Sequence, residues 1–442
     1  MKSTSSVSIS CTSNPLKIRR DPSLDKHVVK QNKIRFVQKL KTLLLSKPKH
    51  FMPLYILNKC RSYLSFPKPR SILSMVHRYP TVFEVFTIPT PPLPLNATKP
   101  LSQVCIRLTP AAAELARKEI ELKKVMSDSL AIKLQKLLML ATHHRLLLYK
   151  LVHLAPDLGL PINFHTWLCN KYPERFKLVQ TSYGHALELV TWDIDLANKL
   201  PKRDAAALDL IVDRPLKFKH LRLRKGMNIK RRHQEFLMKF EELPDVCPYE
   251  TKADDFLKES LEAEKRACAV VREVLGMTIE KRTLVDHLTH FRKDFGLPNK
   301  LRGMLVRHPE LFYVSLKGQR DSVFLVEGYD DKGVPLEKDE MLVIRNQLLQ
   351  LVNKGHKMRK EKRNSYKKKE KFDEQKHQHK SDDEDDGDDD DYDYIESLDD
   401  LFDSEDFQFL DDESDDDRSR MNAQFWATNA IFESGIEDPG LW

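Results

Sequence analysis

Glycine is scarce in this chain, 13 among 442 residues, and no G-x-x-x-x-G-K-[ST] run occurs, which excludes the common phosphate loop of nucleotide hydrolases. The six cysteines (Cys11, Cys60, Cys105, Cys169, Cys247 and Cys268) lie far apart with no C-x-x-C pair, so the usual signatures of structural zinc and of a redox couple are missing. They read as reduced core thiols. No apolar run approaches the ~18 residues of a membrane span, and "LLLYKLVHL" (146–154) is broken by Lys150. Acid is missing before Asp21, where six Ser, two Thr and four basic residues stand. Without an apolar centre this is no secretory signal, and residues 1–20 have the composition of an organellar transit peptide. Serine content leans toward the plastid and Lys17-Ile18-Arg19-Arg20 toward the mitochondrion; the expected destination is the mitochondrion, with the chloroplast as alternative.

Charge is present in abundance but unevenly. The net +8 conceals 25 Asp and Glu against two Arg over residues 381–442, leaving 72 basic and 41 acidic residues in the first 380. A body that cationic calls for an anionic partner, and without a clean amphipathic basic helix nucleic acid is favoured over a membrane surface. The basic block 356–380 and the acidic tail 381–442 are like-charge, low-complexity stretches expected to stay disordered.

One phrase recurs three times: "MVHRYPTVFEVF" (75–86), "LCNKYPERFKLV" (168–179) and "MLVRHPELFYVS" (304–315). Proline removes a donor and disfavours helix in the residue before it, so Tyr79, Tyr172 and His308 should each end a helix. Strands follow, at 81–88, 175–180 and 311–316, each with a partner at 103–109, 185–192 and 321–329, making three hairpins. Pro67, Pro161 and Pro298 stand thirteen, twelve and eleven residues before Pro80, Pro173 and Pro309, room for one short helix. Upstream lie longer helical patterns, among them 28–45, 53–64, 114–126, an unbroken 130–154, 256–275 and 280–291. The fold class expected is α+β, predominantly helical: three winged-helix-like helix-helix-hairpin modules at about 25–109, 111–192 and 254–329, with disordered termini. Pro80, Phe83, Pro173, Phe176, Pro309 and Phe312 form the structural repeat, the phenylalanines pinning each hairpin to its core.

A basic connector, 214–244, carries Lys217, Lys219, Arg222, Arg224, Lys225, Lys230, Arg231 and Arg232 with Phe218 and His220 interleaved. Cations neutralise phosphates and aromatics stack on unpaired bases, the chemistry of single-stranded RNA binding. Arg35, Lys39, Arg61, Lys68, Arg70, Arg78, Lys300, Arg302 and Arg307 are further candidate contacts by charge. Catalysis finds little support. Asp286, His287 and His290 share a helical turn but have no further ligands nearby in sequence, adjacent His143 and His144 point apart on a helix, and His377 and His379 sit in the polar tail. No enzyme, metal or cofactor is expected.

The chain resembles the plant organelle RNA recognition (PORR) domain proteins. The resemblance runs from "RDPSLDKHVVKQNKIRFVQKLKTLLLSKPKHFMPLYILNKCR" through "FPKPRSILSMVHRYPTVFEVF" and "TPAAAELARKE" to "LVDHLTHFRKDFGLPNKLRGMLVRHPELFYVSLKGQRDSVFLVEGYDDKG", and a PORR-type region is placed at 21–355. It implies organellar targeting, binding of group II intron RNA to promote splicing, and other splicing factors as partners. A nuclear winged-helix DNA-binding regulator, with 357–371 as localisation signal and the acidic tail as activation region, is the alternative.

Overall fold

Asp21 begins the first helix, its carboxylate accepting from the Ser23 amide at 2.9 Å, and Pro22 occupies the first helical turn, where a missing amide costs nothing. The computed structural model describes residues 19–65, 71–89, 102–161, 163–201, 221, 223, 224, 227, 229–257 and 260–377, with side chains of the last helix to 366. The expected transit peptide, apart from Arg19 and Arg20, and the acidic tail lie outside these residues.

Three stretches of chain repeat one plan. The first contains α1 (Pro22–Leu45), β1 (Phe51–Pro53), α2 (Leu54–Lys59), α3 (Arg61–Leu64), α4 (Ile72–His77), β2 (Phe83–Pro89) and β3 (Ser102–Leu108). The second contains α5 (Pro110–Val125), α6 (Ser127–Leu140), β4 (Arg145–Leu147), α7 (Leu148–Leu158), α8 (Phe164–Lys171), β5 (Phe176–Thr181) and β6 (Gly184–Leu189). After α9 (Arg231–Glu242) comes the third: α10 (Leu261–Met277), β7 (Arg282–Leu284), α11 (Val285–His290), α12 (Leu301–Arg307), β8 (Phe312–Ser315) and β9 (Ser322–Leu325). A long α13 (Glu340–His377) follows. The class is α+β, and each repeat holds a three-stranded antiparallel sheet with its last strand in the centre, ordered β1-β3-β2, β4-β6-β5 and β7-β9-β8.

The recurring phrase builds the same turn each time. The carbonyl of Tyr79 accepts from the amides of Val82 and Phe83, that of Tyr172 from Arg175 and Phe176, and that of His308 from Leu311 and Phe312, at 2.9 to 3.2 Å. Each phenylalanine then pairs across the hairpin with a leucine, as Phe83↔Leu108, Phe176↔Leu189 and Phe312↔Leu325, and all three are buried in hydrophobic clusters. The proline ends the helix, and the phenylalanine anchors the strand that leaves it.

The short strands β4 and β7 correct the expectation of continuous helix over 130–154 and 280–291, and β1 stands at the same place in the first repeat. His50, His144 and Lys281, one residue before each strand, all have positive φ (52°, 52° and 47°). The reversal lets the next residues pair with the central strand, as Arg145↔Glu188 and Arg282↔Phe324. Left-handed backbone costs a non-glycine residue about 1 kcal/mol; ladder hydrogen bonds and the burial of Leu146 and Thr283 on an existing sheet edge outweigh it. His144 thus belongs to a turn rather than to a helix surface.

Leu130, Leu134, Leu137 and Leu138 of α6 share one core with Val270, Val271 and Val274 of α10, so the second and third repeats are fused. The first repeat has its own core, completed by Leu348 and Val352 of α13. The Thr81 hydroxyl donates to the Leu351 carbonyl at 2.8 Å, and Gly355 leaves no room for a side chain against Thr81. The stretch expected to be disordered from residue 356 therefore continues a docked helix to His377. Once Leu348 and Val352 are buried, each further residue adds a hydrogen bond without a new nucleation cost.

Arg345 of α13 meets Glu280 at 3.1 Å and donates to the Pro156 carbonyl at 2.8 Å, while Arg282 holds the same carboxylate at 2.5 Å. Burial alone would raise the Glu280 pKa, but Arg282 and Arg345 outweigh it and hold it at about 2. A carboxylate depressed in the folded state stabilises fully above its unfolded pKa, near 4.5, and loses that contribution as pH falls toward 2. Glu280→Gln should lower stability by about 3 kcal/mol at neutral pH and remove part of the acid limb between pH 4.5 and 2. Urea midpoints across that range test it, and identical profiles for the two proteins would refute it.

Candidate nucleic-acid interface

Helix α9 is held by its apolar side and its far end. Leu237 packs with Leu221, Phe240 stands 4.2 Å from the His308 ring, and the His233 Nε2 is 2.7 Å from the Arg307 carbonyl. Lys265 donates to the carbonyls of Phe240 and Glu241 and reaches that of Leu243, satisfying the acceptors at the C-terminus. The opposite end carries Lys230, Arg231 and Arg232, all exposed, with no acid in the first turn. Arg231, its side chain 76% exposed, meets Glu235 at 3.2 Å. Cations at the positive end of a helix dipole are unfavourable by roughly 0.3–1 kcal/mol each. An anion bound there would reverse the sign.

A second cationic feature lies between α1 and the loop joining β8 to β9. A cleft of about 400 Å³ has Arg20, Lys26, Lys30 and Lys317 around Pro22 and Val29. Asp25 also borders it, but its carboxylate turns inward to accept from the Tyr313 hydroxyl at 2.8 Å and from the Ser315 hydroxyl, with Arg20 at 3.4 Å. Nearby, Arg35 donates to Gln319 at 3.0 Å, and burial together with the Arg320 charge pushes its pKa below the ordinary value. A third feature is the tip of the β5–β6 hairpin, where Tyr183 is 80% exposed and His185, paired with Gln180 just below the turn, is exposed as well.

The other expected contacts divide. Lys68, Arg70, Lys217, Lys219, Arg222 and Lys225 lie outside the described residues. Arg224 is only 4% exposed, and its guanidinium reaches Asp21 at 2.6 Å, Ser23 at 2.9 Å and the Asp330 carbonyl at 2.9 Å. It is an internal clamp, which corrects its reading as an RNA contact. Lys39 donates to the Tyr63 carbonyl at 2.8 Å and to Ser65, stapling α1 to α3. Arg307 meets Glu264 at 2.7 Å, and Arg302 meets Asp321 at 2.5 Å on the surface. Arg61 and Arg78 are half-buried, Arg78 donating to the Met75 Sδ at 3.7 Å, and Lys300 is exposed at the start of α12. Sequence reasoning missed Lys26 and Lys30, although their i, i+4 spacing was visible; the other wall, Lys317, lies far along the chain.

The fold also brings together groups that suggest chemistry. His153 stacks on His290 at 4.8 Å, and Asp157 accepts from Thr283 at 2.6 Å and lies 3.0 Å from His287 Nδ1. Burial and the charges of His290 and His287 push the His153 pKa down to about 3, so it is neutral. Among the described residues no three His, Cys, Asp or Glu side chains gather to hold a metal ion. Cys268 lies beside His308, but both are buried and burial raises the thiol pKa. Reactive cysteines are partly exposed and have lowered pKa values, the reverse of this site. No helix among the described residues is long and apolar enough to cross a membrane.

Residues 19–357 match the family described as "Plant organelle RNA recognition domain". The chain is 38% identical over 345 residues to "Protein WHAT'S THIS FACTOR 1, chloroplastic" of Zea mays, covering 76% of this chain and 67% of that protein. It is 37% identical over 347 residues to the Arabidopsis thaliana homolog, also named chloroplastic, covering 76% and 63%. A more distant likeness, 28% over 363 residues, is to "Protein WHAT'S THIS FACTOR 9, mitochondrial" of Arabidopsis thaliana, covering 79% and 88%. The matched segment thus spans about two thirds of the chloroplastic relatives. No solved structure matches.

Proposed function

We propose, since this chain belongs to the plant organelle RNA recognition domain family, that it is an organellar RNA-binding protein that binds intron RNA and promotes group II intron splicing without chemistry of its own. The observation that carries the reading is the exposed Lys230-Arg231-Arg232 cluster at the start of α9, cations placed where the helix dipole disfavours them. The exposed Tyr183 at a hairpin tip adds an aromatic platform suited to an unpaired base. Clamping unpaired segments shifts an intron toward one fold by differential binding, and the reaction stays with the RNA. Other splicing factors would join the same particle.

The three repeats are read as winged-helix-like modules at about 25–109, 111–192 and 254–329. The order of helix, short strand, helices and hairpin, with the last strand central, supports this. The relatives of higher identity are named chloroplastic and the more distant one mitochondrial, which favours the plastid over the mitochondrion expected from Lys17-Ile18-Arg19-Arg20.

Recovery of the tagged protein from fractionated organelles, with sequencing of the bound RNA, tests the reading. Enrichment of one or a few unspliced introns is expected; recovery with nuclear chromatin would overturn it. On purified protein, Lys230→Ala/Arg231→Ala/Arg232→Ala should weaken single-stranded RNA binding about tenfold or more and flatten the log–log salt slope by about 2, at roughly 0.7 for each phosphate no longer neutralised. An unchanged slope would remove this cluster from the interface.

A further inference from the structure

The cleft between α1 and the β8–β9 loop is a site in its own right, and we propose that it seats one unpaired nucleotide of the bound RNA. The base or ribose would lie on Pro22 and Val29, with the flanking phosphates on Lys26, Lys30 and Lys317. This rests on the RNA-binding reading above and adds the residues and the form of the ligand.

The shape and chemistry of the cleft support it. Its volume, about 400 Å³, falls within the ~300–1,000 Å³ range of small-ligand pockets. Val29 is 40% exposed on a helix that buries Leu24, Val28 and Val37, so an apolar floor has been left open. Lys26 and Lys30 are one helical turn apart and make no ion pair among the described residues. Like charges at that spacing destabilise a helix by roughly 0.2–0.5 kcal/mol. The bordering acid, Asp25, cannot neutralise them, because Tyr313 and Ser315 hold its carboxylate inward as the fastening between α1 and β8. The cleft therefore has a cationic rim over an apolar floor, complementary to the anionic phosphates and the apolar ring faces of a nucleotide.

The far wall depends on a close backbone approach. Gly318 has φ +118°, and a Cβ there would lie 2.9 Å from Asn32 Nδ2 and 3.1 Å from Val28 Cγ1. Only glycine lets the loop come this close to α1, and that approach brings Lys317 over the cleft. Beyond it Arg35 of α1 donates to Gln319 of the same loop at 3.0 Å, a second tie that holds this wall against the helix. Because one wall belongs to the first repeat and the other to the third, RNA in the cleft bridges parts of the chain nearly 300 residues apart. Neither repeat alone offers this site.

The test uses the full chain and a fluorescein-labelled single-stranded RNA of about 20 nucleotides, with anisotropy titrations at several salt concentrations. Lys26→Ala/Lys30→Ala should lower affinity about tenfold and flatten the salt slope by about 1.4, two phosphates at roughly 0.7 each. Val29→Asp should lower affinity to a similar extent with both lysines in place, because it sets a carboxylate on the floor. Thermal melts should match wild type, since all three side chains are exposed; Lys26→Gln/Lys30→Gln replaces the alanine variant if they do not. Wild-type affinity and slope in the lysine variants, with the parent protein binding RNA, would overturn the cleft and leave the RNA reading standing. Failure of the parent protein to bind any RNA would overturn both. A synthetic peptide of residues 381–417 forms a separate arm: lysine variants that no longer bind the peptide but keep RNA would assign the cleft to the chain's own acidic segment and overturn the proposal.

Discussion

Replacement of Arg224 by alanine will cost the fold about 3–5 kcal/mol, the usual result of removing one member of a buried, hydrogen-bonded ion pair. Its guanidinium joins the N-cap of α1 to the loop after β9 through Asp21, Ser23 and the Asp330 carbonyl. Asp21 would remain half-buried without its counter-charge. Burial tends to raise the Asp21 pKa, and only Ser23 and Arg224 bring it below the ordinary value. Arg224→Lys should recover little, since an ammonium cannot make the forked contacts to a carboxylate and a carbonyl together. Urea midpoints measure the loss. Under conditions where Arg224→Ala is still folded, RNA binding should keep the wild-type salt slope, because this cation does not reach the surface. A flattened slope without loss of stability would return Arg224 to the interface.

His308 carries an effect of similar size. Its ring is 0% exposed, with Nδ1 2.8 Å from Glu310 and Nε2 2.9 Å from Glu264. Burial acts to lower its pKa, but Cys268, Glu310 and Glu264 outweigh burial and hold it well above 6.5. The imidazole is therefore the cation between two buried carboxylates, and His308→Ala should destabilise by about 3–5 kcal/mol. A group with a raised folded pKa stabilises fully below its unfolded pKa and loses that contribution as pH rises through the folded value. Wild-type stability should thus decline on the alkaline side of 6.5, and His308 variants should lack that decline. His308→Tyr is the sharper test, because the equivalent residues of the other repeats are Tyr79 and Tyr172. It preserves the turn but removes the charge, and should still cost about 2 kcal/mol or more. A neutral His308→Tyr would mean that repeat equivalence, not the carboxylate pair, governs this position.

The legible part of the fold was its repeated punctuation. Pro80, Pro173 and Pro309 mark helix ends because a proline acts on the residue before it, and Phe83, Phe176 and Phe312 mark the strand starts that follow. The basic run that opens α9 was legible as well, since Lys230, Arg231 and Arg232 are consecutive in the chain. The short strands β1, β4 and β7 were not. Arg145-Leu146-Leu147 has helix-compatible propensity, and it becomes a strand only because the edge of β6 is already in place. The helical continuation beyond residue 356 was hidden by charge density, since the anchoring residues Leu348 and Val352 precede it and bury against a repeat far back in the sequence.

By itself, then, the sequence determined the class of the fold, its threefold repetition, its excess of cations and its family, all of which depend on local order or on sums over residues. Which cations stay open to solvent and which hold the protein together was decided only in three dimensions. Arg224 and Arg231 lie seven positions apart in one basic run, yet one is buried on Asp21 and the other is open to solvent. Lys26 and Lys317 are remote in the chain, yet they border one cleft. A cation's role depends on the carboxylates, carbonyls and water around it, and those neighbours are set by packing between distant segments.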